Sequence, residues 1–242
     1  MFPQTVAKRT ATLMNDLPSP HGEQTLPSTS DVAADYDRIA DEYTRQIFGE
    51  LADKPFDREL LDRFASLAKD DRVCDVGCGP GHVTRYLHER GCNVFGLDLS
   101  PRMVSLASEL NPEIEFHVGD LRDLGLPGAS LAGIVAFYSL IHLRVYQLAP
   151  ALAELRRVLR PGGRLLLAVH EGAERRRLAE LWCIPVALEF NSFTYDQLTD
   201  ALLEARFAIE QITHRGPYPE VEVATDRLYA SVIANEPEGA NL

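Results

Sequence analysis

The chain has 242 residues, 45% hydrophobic and 25% charged, which suits one globular domain large enough to hold a core and a pocket. A net charge of -12 sets most of the surface against a polyanion, so nucleic acid is disfavoured as a partner. Cys74, Cys78, Cys92 and Cys183 are irregularly spaced and form neither a disulfide framework, a C-x-x-C pair nor a zinc knuckle, so reduced thiols, no metal and a cytoplasmic location are expected.

Residues 1–30 carry Pro3, Pro18, Pro20 and Pro27 among Ser, Thr and Gln and lack an apolar run long enough for a signal peptide or membrane span; their composition predicts a disordered arm. From Asp31, the residues Val32, Tyr36, Ile39, Ala40 and Tyr43 recur at helical steps, placing both tyrosines on one apolar face. A second helix, Phe56 to Leu67, follows Pro55. An alternation then begins: strand Arg72 to Val76, helix His82 to Arg90, strand Asn93 to Leu97, helix Pro101 to Leu110, strand Ile114 to Val118, strand Leu131 to Phe137, helix Tyr146 to Leu159, and a Pro161-Gly162-Gly163 turn into strand Arg164 to Val169. A polar stretch follows, with Arg175, Arg176 and Arg177 read as helical. A helix from Thr194 to Ala205 and two β-type runs, Ala208 to Thr213 and Arg227 to Ile233, complete the chain.

Such alternation predicts an α/β fold: a doubly wound, Rossmann-like, mostly parallel sheet with helices on both faces and a C-terminal antiparallel hairpin. The single domain over 31–242 divides into N-terminal cap helices (31–67), a core (68–171), a cap insertion (172–193) and a C-terminal helix and hairpin (194–242).

Ligands of such sheets bind at the carboxyl ends of the strands, where strand order reverses, so the first glycine turn is informative. It reads Asp75-Val76-Gly77-Cys78-Gly79-Pro80-Gly81-His82, and His82 stands where a G-x-G-x-x-G dinucleotide turn would have its third glycine. Pro80 removes an amide that a pyrophosphate would use, and Asp75 adds negative charge, so the turn suits a cation better than a phosphate. Strand-Asp75-x-Gly77-x-Gly79-Pro80-Gly81 resembles the first motif of the class I S-adenosylmethionine-dependent methyltransferases. The resemblance extends, in order, to Gly96-Leu97-Asp98-Leu99-Ser100, to Gly119-Asp120-Leu121 and to Leu159-Arg160-Pro161-Gly162-Gly163, covering roughly Asp31 to Ile233.

The resemblance implies S-adenosylmethionine as cofactor and transfer of its methyl group to a small-molecule acceptor at oxygen, nitrogen or carbon, by a monomer or homodimer. It places Gly77, Cys78, Gly79 and Gly81 against the methionine part, Asp75 toward its ammonium, Asp98 and Leu99 at the ribose, Asp120 and Leu121 at the adenine, and Tyr36, Tyr43 and Tyr138 around the pocket. Each residue has a plainer reading: glycines closing a turn, either Asp98 or Ser100 capping the helix at Pro101, paired tyrosines as core. An oxygen acceptor needs a base, and His142 or His170, both at the carboxyl rim, is the candidate, with His142 preferred. The arginine triplet either greets an anionic acceptor or forms a solvated face. Ala136-Phe137-Tyr138-Ser139 lacks the Asn/Asp-Pro-Pro-aromatic signature of base and glutamine N-methylation, and no Pro-Cys stands ready for cytosine C5 chemistry. The alternatives kept open are a cofactor-binding enzyme with a non-methylating reaction and a non-catalytic partner subunit.

Overall fold

In a computed structural model, residues 29–68 and 71–235 are described. The expected N-terminal arm falls outside them, except that the first helix already begins at Thr29. The helices are α1 (Thr29–Ile47), α2 (Pro55–Leu67), α3 (His82–His88), α4 (Pro101–Leu110), α5 (Val145–Val158) and α6 (Tyr195–Glu204). The strands are β1 (Arg72–Val76), β2 (Asn93–Asp98), β3 (Phe116–Val118), β4 (Leu131–Phe137), β5 (Leu159–His170), β6 (Arg175–Leu181), β7 (Ile184–Asn191), β8 (Phe207–Arg215) and β9 (Arg227–Ala234).

Seven strands form one sheet in the order β3-β2-β1-β4-β5-β9-β8. β1 to β5 run parallel, and β9 and β8 join antiparallel, as the sequence predicts. Adjacent residues of the central strands go to opposite faces, the period of two that a pleated strand imposes. Cys74, Ile134, Ala136, Leu165 and Leu167 pack with Leu152 and Leu155 of α5 and Leu198 and Leu202 of α6. Val73, Val135 and Leu166 pack on the other face with Leu61 and Phe64 of α2 and Val83 and Leu87 of α3. Burial on both faces explains why these strands read as unbroken apolar runs.

Two expectations are corrected here. The segment 172–193 is not helical through its arginines: β6 and β7 form a separate antiparallel hairpin, pairing Arg176 with Phe190, Leu178 with Leu188 and Leu181 with Ile184. Its two-residue turn puts Trp182 at φ 53° and Cys183 at φ 64°. That is the doubly left-handed geometry tight hairpins favour, but Trp-Cys offers none of the Asn-Gly chemistry that announces it in a sequence. Nor are both N-terminal helices caps. α2 belongs to the layer covering the sheet, with Phe64 directly under Gly133, whereas α1 packs through Ile39 against Leu178, Leu181, Val186 and Leu188 of the hairpin.

Smaller shifts have local causes. β3 starts at Phe116 because the Ile114 amide donates to Asn111 O and closes the preceding turn. β5 starts at Leu159, which pairs with Leu131 before the register slips and the chain passes through Gly162.

Candidate functional site

Strand order reverses between β1 and β4, and a cavity of about 330 Å³ opens at their carboxyl ends. The glycine turn forms one wall. The Gly77 and Cys78 amides donate to Leu97 O at 2.7 and 3.0 Å, and the Gly79 amide donates to Asp98 Oδ2 at 2.8 Å. Gly77 sits at φ 73°, and a Cβ there would lie 2.3 Å from Ser139 Cβ, so the two strand ends can meet this closely only through glycine.

Asp75 lies buried beneath the turn and accepts a hydrogen bond from the Thr84 hydroxyl at 2.6 Å. Loss of hydration pushes its carboxyl up to about 6, with Thr84 and His82 offsetting part of the rise. Asp98 is also raised by burial, against hydrogen bonds from the Ser100 and Gly79 amides. Capping of α4 falls to Ser100, whose Oγ accepts from the Met103 amide at 3.0 Å, so Asp98 is not that helix's cap. Burial also pushes Asp120 upward, but Arg122, bonded to both its oxygens, outweighs this and leaves the carboxyl low.

Asp75, Gly77, Cys78, Gly79, Asp98, Leu99, Asp120 and Leu121 thus line one cavity. Gly81 is the exception. At φ 83° it stands before α3 with its open side toward Phe116 and Asn111, where a Cβ would come within 2.9 to 3.0 Å, so it shapes the turn from behind and does not line the cavity.

The opposite wall is the cap. Tyr36 and Tyr43 of α1 meet edge to face at 5.9 Å, and both line the cavity. The Tyr43 ring would lie 3.7 Å from a Cβ on Gly79, and Trp182 at the hairpin tip meets Tyr43 edge-on at 5.9 Å. Hydrogen bonds hold α1 on both sides. Asp37 accepts from the Ser100 hydroxyl and the Arg102 amide at 2.5 and 2.9 Å, and Asp35 accepts from the Ala187 amide at 2.7 Å. Ser139 Oγ, His82 Nδ1 and Trp182 Nε1, all in residues of the cavity wall, are buried without a hydrogen-bond partner among the described residues. Unpaired polar atoms in one cavity mark a wall made for a polar ligand.

At the far end stand both candidate bases. His142 Nδ1 is 2.8 Å from Glu189 O, an atom that only accepts, so the ring proton sits on Nδ1 and Nε2 accepts from the Tyr36 hydroxyl at 2.8 Å. Burial brings its pKa down to about 4, leaving the ring neutral at physiological pH. His170 Nδ1 is 2.9 Å from Thr225 Oγ1, and burial reinforced by Arg227 and Lys54 takes its pKa to about 3. Tyr138 holds a left-handed backbone at φ 55°, tilts over His170 at 5.1 Å and shares a 3.2 Å hydroxyl contact with Tyr229. A non-glycine residue held there at a cavity rim is the sort of conformation that sites retain.

Sequence reading missed Lys54, Trp182, Glu222, Thr225 and Arg227, all lining the cavity. They come from a loop, a hairpin tip, the turn before β9 and the first residue of β9, and nothing in their spacing connects these segments. The loop before β9 carries Pro217-Tyr218-Pro219, and nothing in that sequence announces that Glu222 is buried behind it.

Residues 73–163 match the family described as the methyltransferase domain. The chain is 35% identical over 112 residues to a malonyl-acyl-carrier-protein O-methyltransferase of Serratia marcescens, covering 46% of this chain and 43% of the relative. It is 30% identical over 188 residues to the protein of that name in Enterobacter lignolyticus, covering 75% and 72%. It therefore spans less than half the length of the first relative. Among solved structures, the 4+2 cyclase SpnF superposes with a TM-score of 0.70 at 18% identity, covering 88% of this chain and 98% of the other, a likeness of fold. With a glycine turn and three strand-end acids on one cavity wall, and a relative matched over most of both chains, this chain belongs to the class I S-adenosylmethionine-dependent methyltransferases.

Proposed function

We propose that the chain methylates an oxygen atom of a small molecule enclosed between the glycine turn and the cap. The observation that carries this is the wall of three carboxylates, Asp75, Asp98 and Asp120, facing one cavity beside buried polar atoms that lack partners. Asp75 is a buried carboxylate with a hydroxyl for company, an arrangement that a ligand ammonium completes. Asp98 has oxygens for ribose hydroxyls, Asp120 and Leu121 suit the adenine edge, and Gly77 and Gly79 admit the methionine chain. The cofactor, when bound, supplies an electrophilic methyl group on a sulfonium. The names of the relatives favour oxygen as the receiving atom.

The protein's own part is to hold the acceptor, exclude water and take a proton. The docked hairpin and α1 close the cavity, which limits water. His142 is the base: its Nδ1 proton is fixed on Glu189 O, its Nε2 lone pair faces the Tyr36 hydroxyl, and its depressed pKa keeps that lone pair available at neutral pH. An acceptor hydroxyl that displaces the Tyr36 hydroxyl gives its proton to Nε2. Tyr36 then orients the base until the acceptor arrives.

The test is calorimetric titration with S-adenosylmethionine and with S-adenosylhomocysteine, NAD being the control, followed by chromatography of reactions with candidate acceptors. Micromolar binding of the first two alone, with S-adenosylhomocysteine formed in step with a methylated product, is the expected result. Turnover without S-adenosylhomocysteine replaces methyl transfer with a reaction that keeps the cofactor intact, and failure of both to bind removes the reading.

A further inference from the structure

The strands that bring His170 and Arg227 to the cavity have a second side. Directly paired residues of antiparallel strands point the same way, and successive residues point opposite ways. Arg227 pairs with His170 on β5 and with Arg215 on β8; His170 and Arg227 line the cavity, and both arginines reach Glu222 in its wall. One step along each segment, Glu171, Asp226 and His214 turn to the other side of the sheet, and none of them lines the cavity. The backbone holds this frame: the Glu171 amide donates to the Asp226 carbonyl at 2.8 Å, and His214 pairs with Leu228.

There the three side chains converge. His214 Nε2 lies 2.9 Å from Glu171 Oε2 and 3.3 Å from Asp226 Oδ2, and one donor atom from each residue falls within 4.8 Å of the others. Two ligands of one zinc ion, each at about 2.1 Å, stand about 3 to 3.5 Å apart, so the set has the spacing of a coordination shell. Glu171 Oε2 gives a second, independent sign. It is buried and makes no hydrogen bond among the described residues, although His214 Nε2 is so near; at that length the pair fails on angle, the oxygen lying off the line of the ring N–H. Two ligands turned toward a shared point take that arrangement, and a buried carboxylate oxygen without a donor calls for an ion. His214 and Asp226, both about half exposed, leave an entry path and room for water ligands.

We propose that Glu171, His214 and Asp226 form a divalent-metal site that takes zinc. Two carboxylates and one neutral imidazole balance its charge, and a nitrogen ligand favours zinc over calcium or magnesium, which prefer oxygen alone. The ion ties the end of β5, the turn before β9 and β8 together from behind. It thereby fixes the segment that carries Thr225 and Arg227 into the cavity, and it stays outside the methyl-transfer chemistry.

The full chain without an affinity tag, stripped with a chelator, is titrated calorimetrically with zinc chloride, with calcium and magnesium chlorides as controls. One equivalent of zinc should bind at about 10 µM or tighter and raise the melting temperature. His214→Gln and Asp226→Asn, both at exposed positions and each checked for fold by circular dichroism, should weaken binding about tenfold or more and abolish the thermal shift. Cys183→Ser, which removes the exposed thiol, should leave the affinity unchanged, and cobalt in place of zinc should show no thiolate charge-transfer band. No saturable binding below about 100 µM, calcium or magnesium bound as tightly as zinc, undiminished affinity in His214→Gln, or loss of binding in Cys183→Ser overturns the site.

Discussion

The two ends of the cavity are built in different ways. The proposed cofactor end is assembled from three short segments at the carboxyl ends of parallel strands: Asp75 to Gly79, Asp98 to Ser100 and Asp120 to Arg122. The proposed acceptor end gathers Tyr36 from α1, Lys54 from the loop before α2, Tyr138 and His142 after β4, Arg176 and Trp182 from the hairpin, Thr225 from the last turn and Arg227 from the start of β9. One end is local in sequence and fixed by sheet topology; the other exists only once distant segments have packed. Binding of the cofactor and turnover of the acceptor should therefore respond to separate substitutions.

The largest effect is expected at the acceptor end. His142→Ala should lower turnover by about a hundredfold, the usual scale of general-base loss, while S-adenosylhomocysteine affinity by calorimetry stays close to wild type. Tyr36→Phe, which keeps the ring but not the hydroxyl, should change turnover far less. Undiminished turnover in His142→Ala would remove His142 as the base and leave the proton to solvent or make the attacking oxygen one that is already anionic.

Next comes the cofactor end. Asp98→Asn should weaken cofactor binding by about 2 kcal/mol through loss of charge-assisted contacts. Because Ser100, not Asp98, caps α4, the loss should appear in affinity and spare the helix content seen by circular dichroism. Equal affinity in a folded variant would confine Asp98 to holding the Gly79 and Ser100 amides and would break the proposed division of labour.

The same contrast explains what could be read before the structure. Strand β1, helix α4 and strand β4 fall within the residues predicted for them, because β-type apolar runs, Ser-Pro at a helix start and Gly after a strand are all local signals. The wall residues of the cofactor end follow from those same turns. Gly81 misled because a motif gives spacing but not which way a glycine faces. The hairpin escaped because Arg175 to Leu181 alternates poorly and its Trp182-Cys183 turn lacks glycine or asparagine, and with it went the placement of Arg176. Lys54 and Glu222 meet across 168 residues of chain, a contact that packing alone creates.

The smallest effect is a pH dependence that tests whether Asp75 meets a cation. Its folded pKa of about 6 lies above its unfolded value near ~3.9. The sign follows: this group's contribution to stability is fully present below the unfolded pKa and is lost as pH rises through 6, so at neutral pH the ligand-free fold holds a poorly compensated buried charge. An ammonium beside it binds the ionised form. Affinity for S-adenosylhomocysteine should thus be level above about pH 7 and fall about tenfold by pH 5. Asp75→Asn keeps an oxygen for the Thr84 hydroxyl but cannot titrate, so it should bind more weakly, with a flatter profile across that window, and be no less stable than wild type at neutral pH when ligand-free. A flat wild-type profile, or the same slope in Asp75→Asn, would make this carboxylate only a buried partner of Thr84. The negative charge beside the glycine turn would then rest on Asp98 and Asp120, and because Asp120 is already bonded to Arg122, chiefly on Asp98.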